Sequence, residues 1–217
     1  MLRPRFSSVI LGIISRPSSA IGRKRAAVRS RVNPGKGFKF LCWDAEHMVK
    51  TVNGNVLNLN NDYCPSRIFQ KMKENEDFRR LFANRVVKHC YNGGVLTPEV
   101  TAQFWSARSA QVSESMDAEA ARWGDYRRDV HPWSRDPYEL YTKETHWLAA
   151  ENFMSDAYFP SRTAVFINQL RSEGLYPQID PPDFMINGNS FTQNTINAGD
   201  VLTMTASQGT VYYTTDG

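Results

Sequence analysis

Apolar and polar positions alternate after Gly35, with Phe38, Phe40 and Cys42 on one side, and this period of two predicts a short strand ending at Asp44. Asn53, Gly54, Asn55, Asn58, Asn60 and Asn61 then fall before Asp62. Asparagine bonds to its own backbone and tolerates left-handed conformations, so the segment reads as an ordered loop. From Pro65 the period changes. A short helix runs through Met72, and Asn75-Glu-Asp-Phe opens a longer one whose Phe78, Leu81, Phe82, Val86 and Cys90 lie at i, i+3, i+4, i+8 and i+12, one buried stripe. Asn92-Gly93-Gly94 stops it. Thr97-Pro98-Glu99 supplies a capping hydroxyl, a proline at the first helical position and an acid in the first turn, so a helix is predicted from there to about Ala121. Trp105, Val112, Met116 and Trp123 share its expected core face, with Glu114, Asp117 and Glu119 in water.

Gly124–Pro137 is polar and proline-bearing, which predicts a loop. Two further helices follow, about Thr145–Ala157 and Pro160–Ser172, the second ending with Gly174 at C′. Tyr176-Pro177 through Asp180-Pro-Pro reads as a linker. Beyond it, Phe184-Met-Ile, Asp200–Ala206 and Gly209–Thr215 are β-branched and aromatic runs separated by Asn-Gly, Ala-Gly and Gln-Gly, the pattern of three strands. Some 40 residues with three strands bury too little surface to stand alone. They are therefore expected to be the start of a larger sandwich.

Charge redraws this picture. The 217 residues carry 26 basic and 22 acidic groups, a net +4. Ten of the basic residues lie in Met1–Phe40, which has no acid, leaving 16 basic and 22 acidic residues in Leu41–Gly217, a net −6. Residues 1–34 are accordingly read as a basic leader outside the folded part. Val9–Ile14 is too short for a membrane span and marginal as a secretory core, with Arg16-Pro17 where a small-residue cleavage site belongs. A transit peptide fits its composition too, and a displaced or frame-shifted start is the reading preferred. The basic cluster lacks interleaved aromatics and any helix-turn-helix pattern, so nucleic acid is not an expected partner.

The chemistry visible in motifs is sparse. No P-loop, GxGxxG, GxSxG or HExxH occurs, and Cys42, Cys64 and Cys90, with no CxxC pair, signal neither a disulfide framework nor a zinc site. Asp44 and Glu46, two apart at a strand end, could both hold Mg²⁺ or merely cap the turn. Trp123 reads first as a core anchor, the alternative being a substrate-facing loop with Asp125, Arg127 and Arg128.

A series of short motifs goes further: Gly37–His47, Asn61–Phe69, Asn75–Arg79, Phe82–Val86, Lys88-His89, Gly94–Glu99, Ala121–Asp125 and Tyr158–Arg162. Over about Gly35 to Pro177, in this order, the chain resembles the C-terminal portion of the spore-coat protein H (CotH) kinase family. The tail from Val201 to Gly217 is similar to the opening of the chitobiase/β-hexosaminidase C-terminal type of sandwich.

The resemblance implies an α+β fold: the mostly helical C-terminal lobe of an atypical protein-kinase-like fold at residues 35–177, followed by a partial β-sandwich at 178–217. It implies ATP-dependent phosphoryl transfer to Ser or Thr of a protein substrate, with ATP and Mg²⁺ as cofactors of the intact protein. It places metal ligation on Asp44, with Glu46 as a second metal or water ligand; His47 and Asp62 are candidate cleft residues, and Arg85 and His89 on the Phe78–Cys90 helix could reach the cleft or be solvated surface charges. In the family the catalytic aspartate precedes the Trp-Asp strand, whereas no acid precedes Asp44 here. No catalytic residue is therefore assigned, and these residues are expected to be inactive alone, the leader standing where the nucleotide-binding half belongs. The parent protein is expected to be bacterial and secreted or in the cell envelope. The competing expectation is a non-catalytic extracellular module that binds polysaccharide through its β-domain.

Overall fold

The computed structural model describes residues 27–29 and 38–40 as backbone, and residues 49–60, 66–130, 139–190 and 196–214. The chain divides into two compact units: Met1–Val86 with Ala164–Asp180, and Val87–Thr163 with Pro181–Gly217.

In the first unit, strand β1 (Ala27–Arg29) pairs antiparallel with β2 (Phe38–Phe40), Ala27 opposite Phe40 and Arg29 opposite Phe38. The predicted strand thus finds its partner within the basic leader. The asparagine loop is ordered as expected over its described residues. Asn55 Oδ1 accepts the Leu57 N–H at 3.0 Å, and Leu57 itself is buried. Helix α1 (Ser66–Lys73) holds the loop through Gln70, whose Nε2 donates to the carbonyls of Leu57 and Leu59 at 2.7 and 2.8 Å. Lys73 Nζ reaches Asn58 Oδ1 at 3.1 Å and Glu173 Oε2 at 3.3 Å.

Helix α2 (Glu76–Cys90) begins where predicted, because Asn75 Oδ1 accepts the Phe78 N–H at 2.9 Å. Phe82, Val86 and Cys90 are buried and Phe78 half-buried, but Leu81 is 55% exposed, against the predicted stripe. Residues four apart drift by about 40° around a helix. By Val86 and Cys90 the buried face has rotated away from Leu81. Phe69, Phe78 and Phe82 form an aromatic triangle with centroids 5.9–6.2 Å apart.

In the second unit, Thr97 occupies the N-cap of α3 (Pro98–Val112) without capping it. Its hydroxyl turns back to donate to the Gly94 carbonyl at 2.9 Å. The long helix predicted to Ala121 is interrupted: a tighter turn, Ser113–Ser115, separates α3 from α4 (Met116–Trp123), and neither helix fully buries a residue. Trp105 is half-buried, donating its indole N–H to Glu151 Oε2 at 3.0 Å and meeting the Phe159 ring at 5.7 Å. Trp123 is 49% exposed and is no core anchor. A one-turn helix, α5 (Tyr126–Asp129), sits inside the predicted loop.

The two helices expected at 145–157 and 160–172 form one continuous helical run. A wide turn (Lys143–Trp147) leads into α6 (Leu148–Phe153), a second wide turn (Met154–Tyr158) and α7 (Phe159–Ser172). The second widening answers Pro160, which brings no N–H and whose ring would crowd the carbonyl four residues back.

The end of α7 returns to the first unit. Gly174, at φ +65°, takes the left-handed C′ position, and the N–H groups of Gly174 and Leu175 bond to the carbonyls of Arg171 and Leu170 at 3.1 and 2.9 Å. Leu170 and Leu175 are buried, and Phe166, Ile167 and Tyr176 complete the core contributed by this end of the chain. The predicted linker is tethered: Arg171 donates to the Pro177 carbonyl at 3.1 Å and to Asp180 Oδ1 at 2.6 Å.

The last strands form an antiparallel sheet of order β4-β3-β5, with β3 (Asp183–Ile186) between β4 (Asn189–Ser190) and β5 (Leu202–Thr205). Asn187-Gly188, both at positive φ, turn β3 into β4 as the sequence predicted. The third predicted strand is absent over its described residues, 209–214, and Tyr212 and Tyr213 stand exposed. Strand propensity there finds no ladder partner; Asn189–Ser190 takes the third place. The fold class is mixed α+β: helices with the two-stranded β1–β2 pair and a three-stranded antiparallel sheet at the C-terminal end.

Candidate functional site

Asp44, Glu46, His47 and Asp62 lie outside the described residues. Arg85 is exposed on α2. Among the described residues no three His, Cys, Asp or Glu side chains converge as metal ligands, and no helix is long and apolar enough to cross a membrane. Cys90 is a free, buried thiol that burial pushes up to about 12, so it is inert as a nucleophile at neutral pH.

The described chemistry gathers instead in the second unit, around the α4–α5 junction and the entry to the wide turn at Lys143. Gly124 makes this possible. Its carbonyl accepts the Tyr141 N–H at 2.9 Å, and a Cβ there would strike the carbonyls of Tyr141 and Ala120, so only glycine admits the close approach. Beside it Trp123 and Tyr126, 42% exposed, stand edge to face with centroids 6.1 Å apart, and the Arg122 guanidinium lies 5.1 Å over the indole. Next to these, Arg128 grips Asp129 through two bonds, at 2.5 and 2.6 Å, and this pairing holds the carboxyl below its usual range.

Past Tyr141 the chain builds a hydrogen-bonded relay. Thr142 Oγ1 accepts the Thr145 N–H at 3.1 Å, capping the helical run. The two threonine hydroxyls are 2.8 Å apart, and Thr145 Oγ1 is 2.7 Å from His146 Nδ1. The other ring nitrogen, Nε2, is 3.0 Å from Glu139 Oε1. The imidazole lies flat on Tyr141, centroids 4.1 Å apart at 19°. Lys143 pairs with Asp117 of α4 at 3.0 Å.

Sequence reasoning saw the Trp123 loop only as the lesser alternative and passed over Glu139, Thr145 and His146. The signal available was the run Glu139-Leu-Tyr-Thr-Lys-Glu-Thr-His146, in which hydroxyl, imidazole and carboxylate are close enough in sequence to meet in one turn. Of the motif series, Tyr158 is buried, and burial pushes its phenol up against an opposing pull from Arg162, to which it is hydrogen-bonded. Neither a family model, nor a curated protein, nor a solved structure matches the chain.

Proposed function

We propose that residues 35–177 are the helical lobe of a CotH-like atypical protein kinase, acting within an intact protein that transfers phosphate from ATP to Ser or Thr of a protein substrate. The observation that carries this reading is the ordered motif series. Its segments fall at structural joints: Asn75 caps α2, Gly94–Glu99 turns the chain into α3, and Tyr158–Arg162 joins the end of the wide turn to the first turn of α7. Asp44 is assigned the metal-holding role and Glu46 a second ligand or water contact. Bound Mg²⁺ would neutralise charge on the nucleotide phosphates. Residues 178–217 are assigned to a chitobiase-type sandwich, which fits a secreted or envelope protein.

The test is Mg²⁺ titration by calorimetry. Weak binding that Asp44→Ala abolishes is the expected outcome, together with no ATP-dependent phosphotransfer by these 217 residues, since no acid precedes Asp44. Robust autophosphorylation would overturn the absence of a catalytic aspartate, and Mg²⁺ binding indifferent to Asp44 would overturn its role.

A second reading is a non-catalytic polysaccharide-binding module, and the exposed Trp123–Tyr126 pair favours it, since aromatic faces stack on sugar rings. Retention on insoluble polysaccharide, lost in Trp123→Ala, would support it. Passage of the protein unretarded over such matrices would count against it.

A further inference from the structure

We infer that Thr145 is an activated hydroxyl, able to accept an acyl group from an activated ester, with His146 as its base and Glu139 as the residue that positions that base. The inference is independent of the kinase reading, because every group it uses lies between Glu139 and His146.

Proton placement follows from the partners. The Thr142 N–H can only donate, and it points at His146 Nδ1 from 3.2 Å. Nδ1 is therefore an acceptor, the ring proton sits on Nε2, and Nε2–H donates to Glu139 Oε1 at 3.0 Å. An accepting Nδ1 at 2.7 Å from Thr145 Oγ1 also accepts a hydrogen bond from that hydroxyl, the shorter of the two that share its lone pair, which leaves Thr142 O–H to donate to Thr145 Oγ1 at 2.8 Å. The order is Thr142 O–H to Thr145 O–H to imidazole, with the carboxylate on the far nitrogen. This is the arrangement of a nucleophile, its base and the base's orienter. A helix cap needs only Thr142 Oγ1 on the Thr145 N–H and leaves the Thr145 hydroxyl unused. The Tyr141 ring at 4.1 Å fixes the plane of the imidazole, and Thr145 is exposed, so an ester reaches it from solvent.

In the step itself Thr145 Oγ1 attacks the ester carbonyl carbon. The Oγ1–C bond forms, the bond from that carbon to the aryl oxygen breaks, and the Oγ1 proton moves to His146 Nδ1 and from there to the departing phenolate or water. The product is O-acyl-Thr145.

The probe is p-nitrophenyl acetate on the full chain, with p-nitrophenolate release followed by absorbance and the acetyl group located by peptide mass spectrometry. Thr145 is expected to be acetylated at least about tenfold faster than Thr142, within the range general-base assistance supplies. His146→Gln should remove that advantage, and Thr145→Ser should retain it. Glu139→Gln should slow acetylation by a smaller factor and weaken the Nε2–H tautomer, read from imidazole ¹⁵N shifts, with the melting temperature held. Acetylation of Thr145 no faster than Thr142, acetyl found on His146 instead, or an unchanged rate in folded His146→Gln would overturn the inference.

Discussion

At the scale of single residues, type and position are separate pieces of information. Thr97 is the residue a helix N-cap favours, and it stands at the N-cap, yet its hydroxyl serves the Gly94 carbonyl instead. Trp123 has the type of a core anchor and is half exposed. What decides each case is the path of a neighbouring segment, which composition does not contain. Gly124 shows the dependence most sharply, since the Ala120 carbonyl lies 2.5 Å from where a Cβ would stand and the Tyr141 carbonyl is closer still. Gly124→Ala is therefore expected to cost about 1–3 kcal/mol by overpacking. It should also loosen the Gly124–Tyr141 bond, raising amide exchange at Tyr141. A urea melt indistinguishable from that of the parent would refute the close approach.

At the scale of elements, several helix starts and stops were legible because they are local, whereas the break after Val112 was not. Asn75 capping α2, Asn92-Gly93 ending it, Gly174 closing α7 and Asn187-Gly188 turning a hairpin are interactions within a few residues. The faces were less legible, because burial depends on what arrives from elsewhere in the chain. Leu81 and Phe82 test this on one helix. Phe82→Ala should cost about 3–5 kcal/mol, the range for a buried phenylalanine. Leu81→Ala, at a position 55% exposed, should stay near 0.5 kcal/mol, as surface changes do. Equal losses in chemical denaturation would restore the stripe that the spacing suggested. The β-hairpin offers a second test at this scale. Backbone and side-chain donation from Asn197 and Asn187 lowers the Asp200 pKa, so the carboxylate form holds the turn. That contribution is present above the ordinary carboxylate value and is lost as pH falls through the lowered one. Asp200→Ala should reproduce the acid effect at neutral pH, read as faster amide exchange at Asn197.

At the scale of the whole molecule, the sequence divides at its charge break and at its proline-rich linker, and the described contacts divide it in that linker and also inside two helices. The unit boundaries at Val86, Thr163 and Asp180 fall inside α2, inside α7 and within the linker, so each unit draws on two stretches of chain. A reading along the sequence cannot see such a division, because it arises from which distant segments meet. The assigned metal carboxylates, Asp44 and Glu46, lie outside the described residues, so that part of the site rests on motif alone. Global stability nevertheless has a titrating reporter in the described core. Cys90, buried at the end of α2, has its thiol pKa raised from 9.0 to about 12 because burial disfavours the thiolate. In the unfolded chain that thiol ionises near 9.0, while the folded chain keeps it protonated well above that value. Its contribution is therefore complete below pH 9 and falls as pH rises from 9 towards 12, at up to about 1.4 kcal/mol per pH unit for one group. Cys90→Ala removes this dependence and leaves the rest of the chain unchanged. The difference in unfolding free energy between parent and variant, constant from pH 7 to 8.5, should then shift against the parent as pH is raised past 9. A difference that stays flat through that window would mean the Cys90 thiol reaches water in the folded protein.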